Sequence, residues 1–201
     1  MAFIKPVTLR GRHAVLEPLS QDHCEGLKTA VADGELWKLW YTTVPSPEQM
    51  AANIDMRLQK QAAGAMFSWA VLDPESSDPV GVTSFWAIDP EHRRVEIGGT
   101  WYRASVQRTA LNTECKLMLL SQAFEALDCI AVELRTNFHN RQSRQAIERL
   151  GAKLDGVLRS HQRNRDGSLR DTCVYSIVAW EWPAVRANLE FRLEQRSAAA
   201  A

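Results

Sequence analysis

Apolar residues recur along the chain with two different periods, and each period predicts a different kind of element. In the middle of the sequence the period is two, which predicts an antiparallel meander. Its three strands cover residues 66–72, 80–88 and 93–102. From Asn112, which is predicted to be the cap, the spacing changes to three and four residues and predicts a helix. The apolar face of this helix consists of Leu117, Leu120, Phe124 and Leu127.

Two helices are predicted before the meander. Residues 7–19 favour a strand or a hairpin broken at Gly11, and Ser20 is the predicted cap of the helix that follows. The second helix begins at Ser46-Pro47-Glu48-Gln49, because this sequence combines a Ser cap, Pro at the first helical position and Gln three residues after the cap. The elements predicted after the long helix are strands at 130–136, 154–163 and 172–180 and helices at 141–150 and 181–196.

This order of elements predicts one α/β domain over residues 1–201, with a core from about residue 7 to 182 and a mixed, mostly antiparallel sheet flanked by helices. The connection from Arg93 to Thr136 is a strand, helix, strand crossover, which makes two neighbouring strands parallel. It also places the start of the Asn112 helix at the edge of the sheet. Unpaired N–H groups at a helix start bind anions, so a small-molecule site is expected there.

The charge and composition restrict the classes of partner. The chain has 24 Lys plus Arg and 24 Asp plus Glu residues, so its formal net charge is zero. A neutral chain has no long-range field to collect nucleic acid or an anionic membrane. No segment approaches the roughly 18 apolar residues that cross a bilayer, and no signal-peptide pattern begins the chain. A cytoplasmic protein is therefore expected.

The four cysteines predict buried free thiols. They form no Cys-x-x-Cys pair and have no zinc-like spacing with histidine, so no metal site is expected. A nucleophilic cysteine is the minor alternative. The four residues are Cys24, Cys115, Cys129 and Cys173.

Four motifs lie in order between these elements. They are Val95-Glu96-Ile97-Gly98, the loop from Gln107 to Asn112, Asn140-x-x-Ser143 and Glu148-Arg149-Leu150-Gly151-Ala152. Together they resemble the GNAT superfamily of acyl-CoA-dependent acetyltransferases. The later part of the chain, ending in Glu181-Trp182, looks like the ribosomal-protein N-acetyltransferases of RimJ and RimL type. The resemblance implies a fold in which a splayed pair of parallel strands binds acetyl-CoA.

The resemblance also implies that the loop before the Asn112 helix binds the pyrophosphate of coenzyme A. In the family this loop usually carries two glycines, or a glycine and an alanine, and here Ala110 and Asn112 take both positions. Both residues still supply N–H donors, Asn112 tolerates a left-handed conformation and Arg108 adds a cation. Taken alone, the loop also fits a capping turn without a ligand. The implied cofactor-binding residues are Trp101, Tyr102, Arg103, Gln107, Arg108, Thr109, Ala110, Leu111, Asn112, Thr113, Asn140 and Ser143.

Glu96 and Ser143 are the catalytic candidates. An amine that attacks a thioester must lose a proton, which the Glu96 carboxylate could accept. An ion pair with Arg93, Arg94 or a neighbouring strand is the structural alternative for Glu96. The resemblance implies that Asn140 bonds the pantetheine arm and that Ser143 protonates the departing thiolate. Asn140 also fits a simple helix cap.

His161 and Gln162 stand where some relatives of ribosomal type have an acidic residue thought to act as a base. This departure weakens the transfer of a ribosomal-protein substrate to this chain. It shifts the role of base toward Glu96, His161 or bulk water.

Aromatic residues mark the candidate acceptor site. In this fold the loop between the first two helices and the strand beside Glu96 border the acceptor groove. Core packing is the alternative for most of these side chains. The candidates are Trp37, Trp40, Tyr41, Phe85 and Trp86.

The resemblance thus implies an acetyl-CoA-dependent N-acetyltransferase in which a primary amine attacks the thioester directly. Three acceptor classes stay open: a protein N-terminus, a small amine such as an antibiotic or peptide-like toxin, and a polyamine or amino-acid metabolite. The alternative is a non-catalytic domain that binds acyl-CoA or a protein partner. The apolar residues between Trp180 and Leu193 offer surface for a homodimer.

Overall fold

The computed structural model describes the backbone of residues 3–200 and the side chains of residues 3–196. The strands are β1 (Leu9–Arg10), β2 (Val15–Pro18), β3 (Met66–Leu72), β4 (Pro79–Asp89), β5 (Arg94–Tyr102), β6 (Ala131–Asn137), β7 (Lys153–Arg163) and β8 (Leu169–Val178). The helices are α1 (Cys24–Ala32), α2 (Met50–Ala62), α3 (Leu111–Ser121), α4 (Arg141–Leu150) and α5 (Trp182–Ala200).

The strands form one sheet in the order β1-β2-β3-β4-β5-β6-β8-β7. Of the seven strand pairs, β5–β6 is parallel and the others are antiparallel. The chain passes from β5 to β6 through α3, as the crossover prediction requires. The predicted fold class, a mixed and mostly antiparallel sheet with one parallel pair flanked by helices, is confirmed.

Several predicted boundaries match the structure. The strand at 66–72 and the helix at 141–150 have the predicted bounds. Gly151 ends α4 with a φ of 102°, a left-handed conformation that suits glycine. At the start of α2, the Ser46 N–H donates to Gln49 Oε1 at 3.2 Å, as expected for the predicted Ser and Gln pair.

The start of α3 differs from the prediction. The helix begins at Leu111 with Ala110 in the cap position, so the assignment of Asn112 as cap is wrong. The reason lies two residues earlier, because the Thr109 hydroxyl accepts the Leu111 N–H at 3.3 Å. Asn112 therefore lies inside the first turn. After Ser121 the chain continues as a π-helical turn.

Helices cover both faces of the sheet. On one face α3, α4 and α5 pack over the main core, which includes Trp69, Phe85, Leu119, Tyr175 and Leu189. On the other face α1 and α2 pack over a smaller cluster, which includes Leu27, Met50, Ile54, Val82 and Trp101. All seven residues of β3 are buried, as expected for a strand covered on both sides. The four cysteines are buried free thiols, as predicted.

The apolar residues near α5 divide between the core and the solvent. Trp182, Val185 and Leu189 are buried against the rest of the chain, so they are not available to a second copy. Trp180 and Phe191 are exposed. The homodimer stays a prediction, with less apolar surface than the sequence suggested. Within the described residues, no helix is long and apolar enough to cross a membrane.

β5 contains a bulge opposite Thr83. Val82 pairs with Trp101 and Ser84 with Gly98, so Gly99 and Thr100 together oppose Thr83. Gly99 has a φ of 59°. A bulge bends a strand and increases its local twist, and this one lies where β5 separates from β6.

We expect Gly99→Ala to lower the free energy of unfolding by more than Gly64→Ala. Both glycines have a positive φ, 59° and 73°, which costs an alanine about 1 kcal/mol. A Cβ on Gly64 meets nothing within 4 Å, whereas one on Gly99 would lie 2.8 Å from Trp86 Nε1 and 3.2 Å from Arg57 Nη2. Crowding adds a further 1–3 kcal/mol or so. Urea unfolding measures both losses, and equal losses would contradict the steric argument.

Candidate active site

The parallel pair β5–β6 opens after three residue pairs. These pairs are Arg94–Ala131, Val95–Val132 and Glu96–Glu133. β5 continues to Tyr102 and β6 to Asn137, but no further pair joins them among the described residues. The edge of β5 beyond Glu96 therefore faces a gap, in which an extended ligand can bond to main-chain groups.

The loop between β5 and α3 presents backbone N–H groups at the start of a helix. Within residues 3–196, five of these N–H groups donate to no other group of the chain. They belong to Arg108, Thr109, Ala110, Asn112 and Thr113. The start of a helix carries partial positive charge, so this array fits a pyrophosphate.

Arg108 is the left-handed residue of the loop. Its φ is 62°, whereas Ala110 has φ −69° and ψ −23°, and Asn112 lies inside α3. The left-handed conformation of this loop is therefore supplied by Arg108 and not by Asn112. Such a conformation costs an arginine roughly 1–2 kcal/mol. A contact from α5 stabilises it, because Arg196 Nη1 donates to the Arg108 carbonyl at 2.7 Å.

Gln107 connects this loop with β5 and α4. Its Nε2 donates to the Tyr102 carbonyl at 3.0 Å, and its Oε1 accepts from Gln142 Nε2 at 3.4 Å. The start of α4 therefore lies beside the loop. There Asn140 Oδ1 accepts the Ser143 N–H at 3.0 Å, which confirms Asn140 as a helix cap. The half-buried Ser143 lies in the same turn.

The last residues of β5 can contact a ligand only through their backbone. Trp101 is buried in the smaller cluster, and Tyr102 is buried on the opposite face in the main core. The Arg103 N–H is bonded to the Val80 carbonyl at 2.9 Å. Trp101 and Tyr102 are thus core aromatics.

Glu96 lies where the gap begins, beside charged residues of β6. Its Oε2 is 3.6 Å from Arg135 Nε. Glu133, next to it, accepts from Arg135 Nη2 at 2.7 Å and from Arg94 Nη2 at 2.8 Å. Burial is the largest influence on the pKa of Glu96 and raises it. The positive charges of Arg135 and Arg170 lower this pKa, whereas the negative charge of Glu133 raises it. Glu96 is therefore both an ion-paired strand carboxylate and a partly buried candidate base.

His161 approaches the same charged group from β7. Its Nδ1 lies 3.1 Å from Thr172 Oγ1, which also accepts from Arg170 Nε at 3.2 Å. Arg170 in turn acts on the pKa of Glu96. His161 is exposed and separated from Glu96 by these two side chains.

Phe85 and Trp86 lie on opposite faces of β4. Phe85 is 0% exposed in the main core, so its predicted contact with an acceptor is wrong. Side chains alternate along a strand, which turns the adjacent Trp86 to the other face. Trp86 pairs with Glu96 across the two strands and shares its face.

The loop between α1 and α2 reaches across to the start of α4. Trp40 is 48% exposed, and its ring lies 5.5 Å from that of His139, just before α4. Tyr41 contacts Trp40 edge-on at 5.5 Å. Trp37 is half-buried against the smaller cluster. Trp40 and Tyr41 therefore remain candidates for an acceptor contact, and Trp37 is mainly a packing residue.

Lys116 is a buried cation that the sequence pattern did not reveal. It is 6% exposed, and its Nζ donates to Thr100 Oγ1, 3.1 Å away. Thr100 Oγ1 lies 2.8 Å from Thr83 Oγ1. Burial lowers the pKa of Lys116 to about 8, and no carboxylate in the described chain pairs with it. Its position four residues before the buried Leu120 was the available signal, because residues at that spacing share a helix face.

Arg57 is a second buried cation, on the opposite face of the sheet. It is 4% exposed, and its guanidinium donates to Asn53 Oδ1 at 2.9 Å, Ser84 Oγ at 2.8 Å and the Gly99 carbonyl at 3.2 Å. Burial lowers the pKa of Arg57 to about 10. Its spacing of three residues from the buried Ile54 was the signal in the sequence.

The sheet with one opened parallel pair has counterparts among known proteins. A family model described as an acetyltransferase (GNAT) domain matches residues 13–153, more than half of the chain. The chain belongs to the GNAT family of acetyltransferases. It is therefore an N-acetyltransferase, and GNAT acetyltransferases use acetyl-CoA.

Solved structures of GNAT proteins are similar over most of the chain. An acetyltransferase from T. thermophilus is 34% identical, with a TM-score of 0.82 over 94% of this chain and 98% of its own. A GCN5-related N-acetyltransferase from Brucella melitensis is 27% identical, with a TM-score of 0.82 over 94% of this chain and 86% of its own. RimL, a ribosomal L7/L12 alpha-N-protein acetyltransferase in complex with coenzyme A, shares the fold at 18% identity and a TM-score of 0.73, over 86% and 98%. No curated protein matches.

We expect Lys116→Met to raise the free energy of unfolding of this GNAT protein at pH 7 by about 1–3 kcal/mol. Burial lowers the pKa of Lys116 from 10.5 to about 8, a cost of up to about 3 kcal/mol. That cost is fully present below pH 8. Between pH 8 and 10.5 the unfolded chain binds more protons at this residue than the folded chain does. The free energy of unfolding of the wild type therefore rises with pH relative to that of the variant. Urea unfolding from pH 7 to 10 measures this difference in the free energy of unfolding, which should become smaller as the pH rises.

Lys5→Met, at an exposed lysine, is the control, and its difference from the wild type should stay constant with pH. Burial raises the pKa of Cys115 to about 12 and that of Cys129 to about 11. Both thiols are present in the wild type and in the two variants. Their contribution to the pH dependence of the free energy of unfolding therefore cancels when the variants are compared with the wild type. A difference that stays constant with pH for Lys116→Met would show that the pKa of Lys116 is the same in the folded and the unfolded chain, and that burial does not lower it.

Proposed function

We propose that this GNAT protein transfers the acetyl group of acetyl-CoA to a primary amine by direct attack. The gap between β5 and β6 carries this proposal, because the five free N–H groups of the loop before α3 and of its first turn lie at its open end and Glu96 at its closed end. Acetyl-CoA supplies the acetyl group in activated form, as a thioester. The chain contributes proximity, orientation and proton transfer.

The residues around the gap would hold the donor in an extended conformation. These five free N–H groups, with the Arg108 side chain, would bind the pyrophosphate. The main chain of Trp101 to Arg103 and the cap residue Asn140 would bond the pantetheine arm. Gln107 already bonds the Tyr102 carbonyl, so the arm would use other main-chain groups of this edge.

Glu96 and Ser143 would move the protons. As the new N–C bond forms, the Glu96 carboxylate would accept a proton from the amine. As the C–S bond breaks, the Ser143 hydroxyl would give a proton to the departing thiolate. Burial favours this role for Glu96, because a carboxylate with a raised pKa is a stronger base than an exposed one, and Arg135 limits the shift.

The proposal also includes the branch of the GNAT family, the cellular location, the oligomeric state and the side from which the acceptor enters. The motifs quoted from the sequence support the RimJ and RimL type, and with it a cytoplasmic location. A homodimer would use exposed apolar residues near α5, such as Trp180 and Phe191. The acceptor would enter on the face of the sheet that carries Glu96 and Trp86.

Calorimetric titration of acetyl-CoA, repeated with free coenzyme A, tests the donor site without knowledge of the acceptor. We expect saturable micromolar binding of both, followed by release of free thiol when the correct amine is added. Absence of binding at millimolar acetyl-CoA would overturn the proposed use of the gap. If acetyl-CoA binds but no class of amine releases free thiol from it, the proposed transfer is wrong and the protein is a non-catalytic acyl-CoA-binding protein.

We expect Glu96→Gln to lower kcat/KM for the acceptor by about 100-fold, because glutamine cannot accept the proton. The acidic limb of the pH–rate profile, which reports ionisation of Glu96, should disappear, while the affinity for acetyl-CoA stays the same. Steady-state kinetics from pH 5 to 9 measures both effects. An unchanged rate and profile would remove Glu96 from the mechanism.

We expect Arg135→Met to move the acidic limb of the pH–rate profile to higher pH. Arg135 holds down the pKa of Glu96, so its loss lets burial raise that pKa further. Arg94→Met is the matched control, because the Arg94 side chain bonds Glu133 and not Glu96. The same shift in both variants would assign the effect to the charge of the whole group and not to the Arg135–Glu96 pair.

A further inference from the structure

A chain of hydrogen bonds joins α3, β5 and β4 at the bulge of β5. Lys116 on α3 donates from Nζ to Thr100 Oγ1 at 3.1 Å. Thr100 belongs to the bulge, and its Oγ1 lies 2.8 Å from Oγ1 of Thr83, the β4 residue opposite the bulge. The direction of these two bonds decides whether the Thr100 hydroxyl still has a proton to offer.

The buried hydroxyl of Thr83 must be a donor. Thr83 is 0% exposed, and Thr100 is the one hydrogen-bond partner of its hydroxyl within the described residues. A hydroxyl has one proton to donate and two lone pairs that accept. Since a buried O–H group that donates to nothing is destabilising, the Thr83 proton is expected to point to Thr100 Oγ1.

Thr100 therefore keeps its own proton unused. The ammonium of Lys116 has donors and no acceptor, so this second bond also runs toward Thr100 Oγ1. The two incoming bonds occupy both lone pairs of the oxygen. No third group of the described chain accepts the Thr100 proton, so it is free for a ligand.

The unused proton of Thr100 borders the gap between β5 and β6. Thr83 occupies the side of Thr100 that faces β4, and Lys116 occupies the side that faces α3. On the side of β6 the two strands do not pair beyond Glu96 among the described residues. Thr100 is half-buried and not enclosed, so a ligand in the gap can reach its hydroxyl.

The position of Thr100 along β5 matches that of the thioester. In the proposed transfer the main chain of residues 101–103 binds the pantetheine arm, which carries the thioester at its end. From there the arm continues along the strand toward Glu96. Thr100 is the first residue that the arm meets in this direction, so the free hydroxyl lies where the thioester is expected.

Glu96 and Thr100 flank this place from opposite faces of the sheet. A Cβ built on Gly98 would lie 2.7 Å from Glu96 Oε1, so the carboxylate reaches along β5 toward Thr100. Glu96 shares its face with Trp86, whereas Thr100 contacts Lys116 on the face covered by α3. The proton acceptor for the amine and an unused hydrogen-bond donor are thus on either side of the reacting group.

We propose that the Thr100 hydroxyl donates a hydrogen bond to the thioester carbonyl oxygen, and that Lys116 is the positioning residue that holds this hydroxyl. The inference rests on the proposed acetyl transfer and adds a catalytic residue to it. As the amine nitrogen bonds to the carbonyl carbon, an electron pair moves onto the oxygen, and Thr100 stabilises this charge without losing its proton. The pair returns as the C–S bond breaks, the amine proton goes to Glu96, and the sulfur receives the proton of Ser143.

The uncompensated charge of Lys116 supports this role. Lys116 is 6% exposed and pairs with no carboxylate in the described chain. An ammonium that donates to a hydroxyl polarises it and makes it a stronger donor. In a buried site such a charge is also weakly screened, so it favours the negative charge that develops on the carbonyl oxygen.

Infrared difference spectroscopy tests the contact without an acceptor. The ligand is acetyl-CoA with an isotope label at its carbonyl carbon, and a hydrogen bond to the carbonyl lowers its stretching frequency. We expect this frequency to be higher in Thr100→Val than in the wild type, and Thr100→Ser to restore most of the difference. Thr83→Val is the control, because Thr83 is 0% exposed and cannot touch a ligand. Equal frequencies in the wild type and Thr100→Val, or the same rise in Thr83→Val, would overturn the proposal.

Calorimetry distinguishes a contact with the thioester from one with the pantetheine arm. Free coenzyme A has the whole arm but no thioester carbonyl. We expect Thr100→Val to weaken the binding of acetyl-CoA by about two- to tenfold, the value of one hydrogen bond, and to change the Kd of free coenzyme A less than twofold. Equal weakening of both ligands would place the Thr100 hydroxyl on the arm and overturn the proposal.

Lys116→Met separates positioning from a structural role. This variant is expected to unfold at higher free energy than the wild type, yet its bound thioester should show a carbonyl frequency closer to that of Thr100→Val. An unchanged frequency would remove Lys116 from the proposal.

Thiol release separates the Thr100 contact from acetyl transfer itself. With an amine that releases thiol, Thr100→Val should lower kcat by about 100-fold or more, the effect of losing one such donor. A lowered carbonyl frequency in the wild type without thiol release to any amine would support the contact and overturn the transfer alone. Thiol release by a wild type whose carbonyl frequency equals that of Thr100→Val would overturn the contact alone, and failure to bind acetyl-CoA would overturn both.

Discussion

The bulge of β5 is the constraint on which the site depends. Gly99 and Thr100 together oppose Thr83, so β5 cannot continue in regular register with β4. Each bulge residue is bonded by a buried cation from a different face of the sheet: Arg57 donates to the Gly99 carbonyl, and Lys116 donates to the Thr100 hydroxyl. A strand fixed in this way from both sides bends where its pairing with β6 ends, and the gap is the consequence.

Burying the charges of Arg57 and Lys116 costs free energy, and this cost points to the part of the sheet that has a functional role. Neither is paired with a carboxylate within the described residues, and burial lowers the pKa of both. The main core, which includes Trp69, Phe85 and Tyr175, can offset such a cost, since each large apolar side chain contributes about 1.5–3 kcal/mol on burial. Buried groups that conflict with stability are expected where a protein binds or reacts, and here both lie on the bulge.

The sequence predicts the frame of the molecule well, because hydrophobic period and turn residues are local signals. β3 and α4 therefore have their predicted bounds. The cap of α3 was misassigned because the Thr109 hydroxyl takes the role given to Asn112. Alternation along β4 separates Phe85 from Trp86 but does not say which face holds the acceptor, since that depends on where α2 packs. Arg57 and Lys116 look like surface residues in the sequence, and only tertiary packing shows that they are buried.

The charges on the acceptor face explain why an ammonium would bind Glu96 and not its neighbour. Glu133 is already bonded by Arg94 and Arg135, whereas Glu96 has only the longer 3.6 Å contact with Arg135. Glu96 thus keeps negative charge that is not fully compensated by its own neighbours. Glu96 belongs to the last residue pair of β5 and β6 and precedes the bulge by three residues, so the strand that bends to open the gap also places the group that would accept the proton.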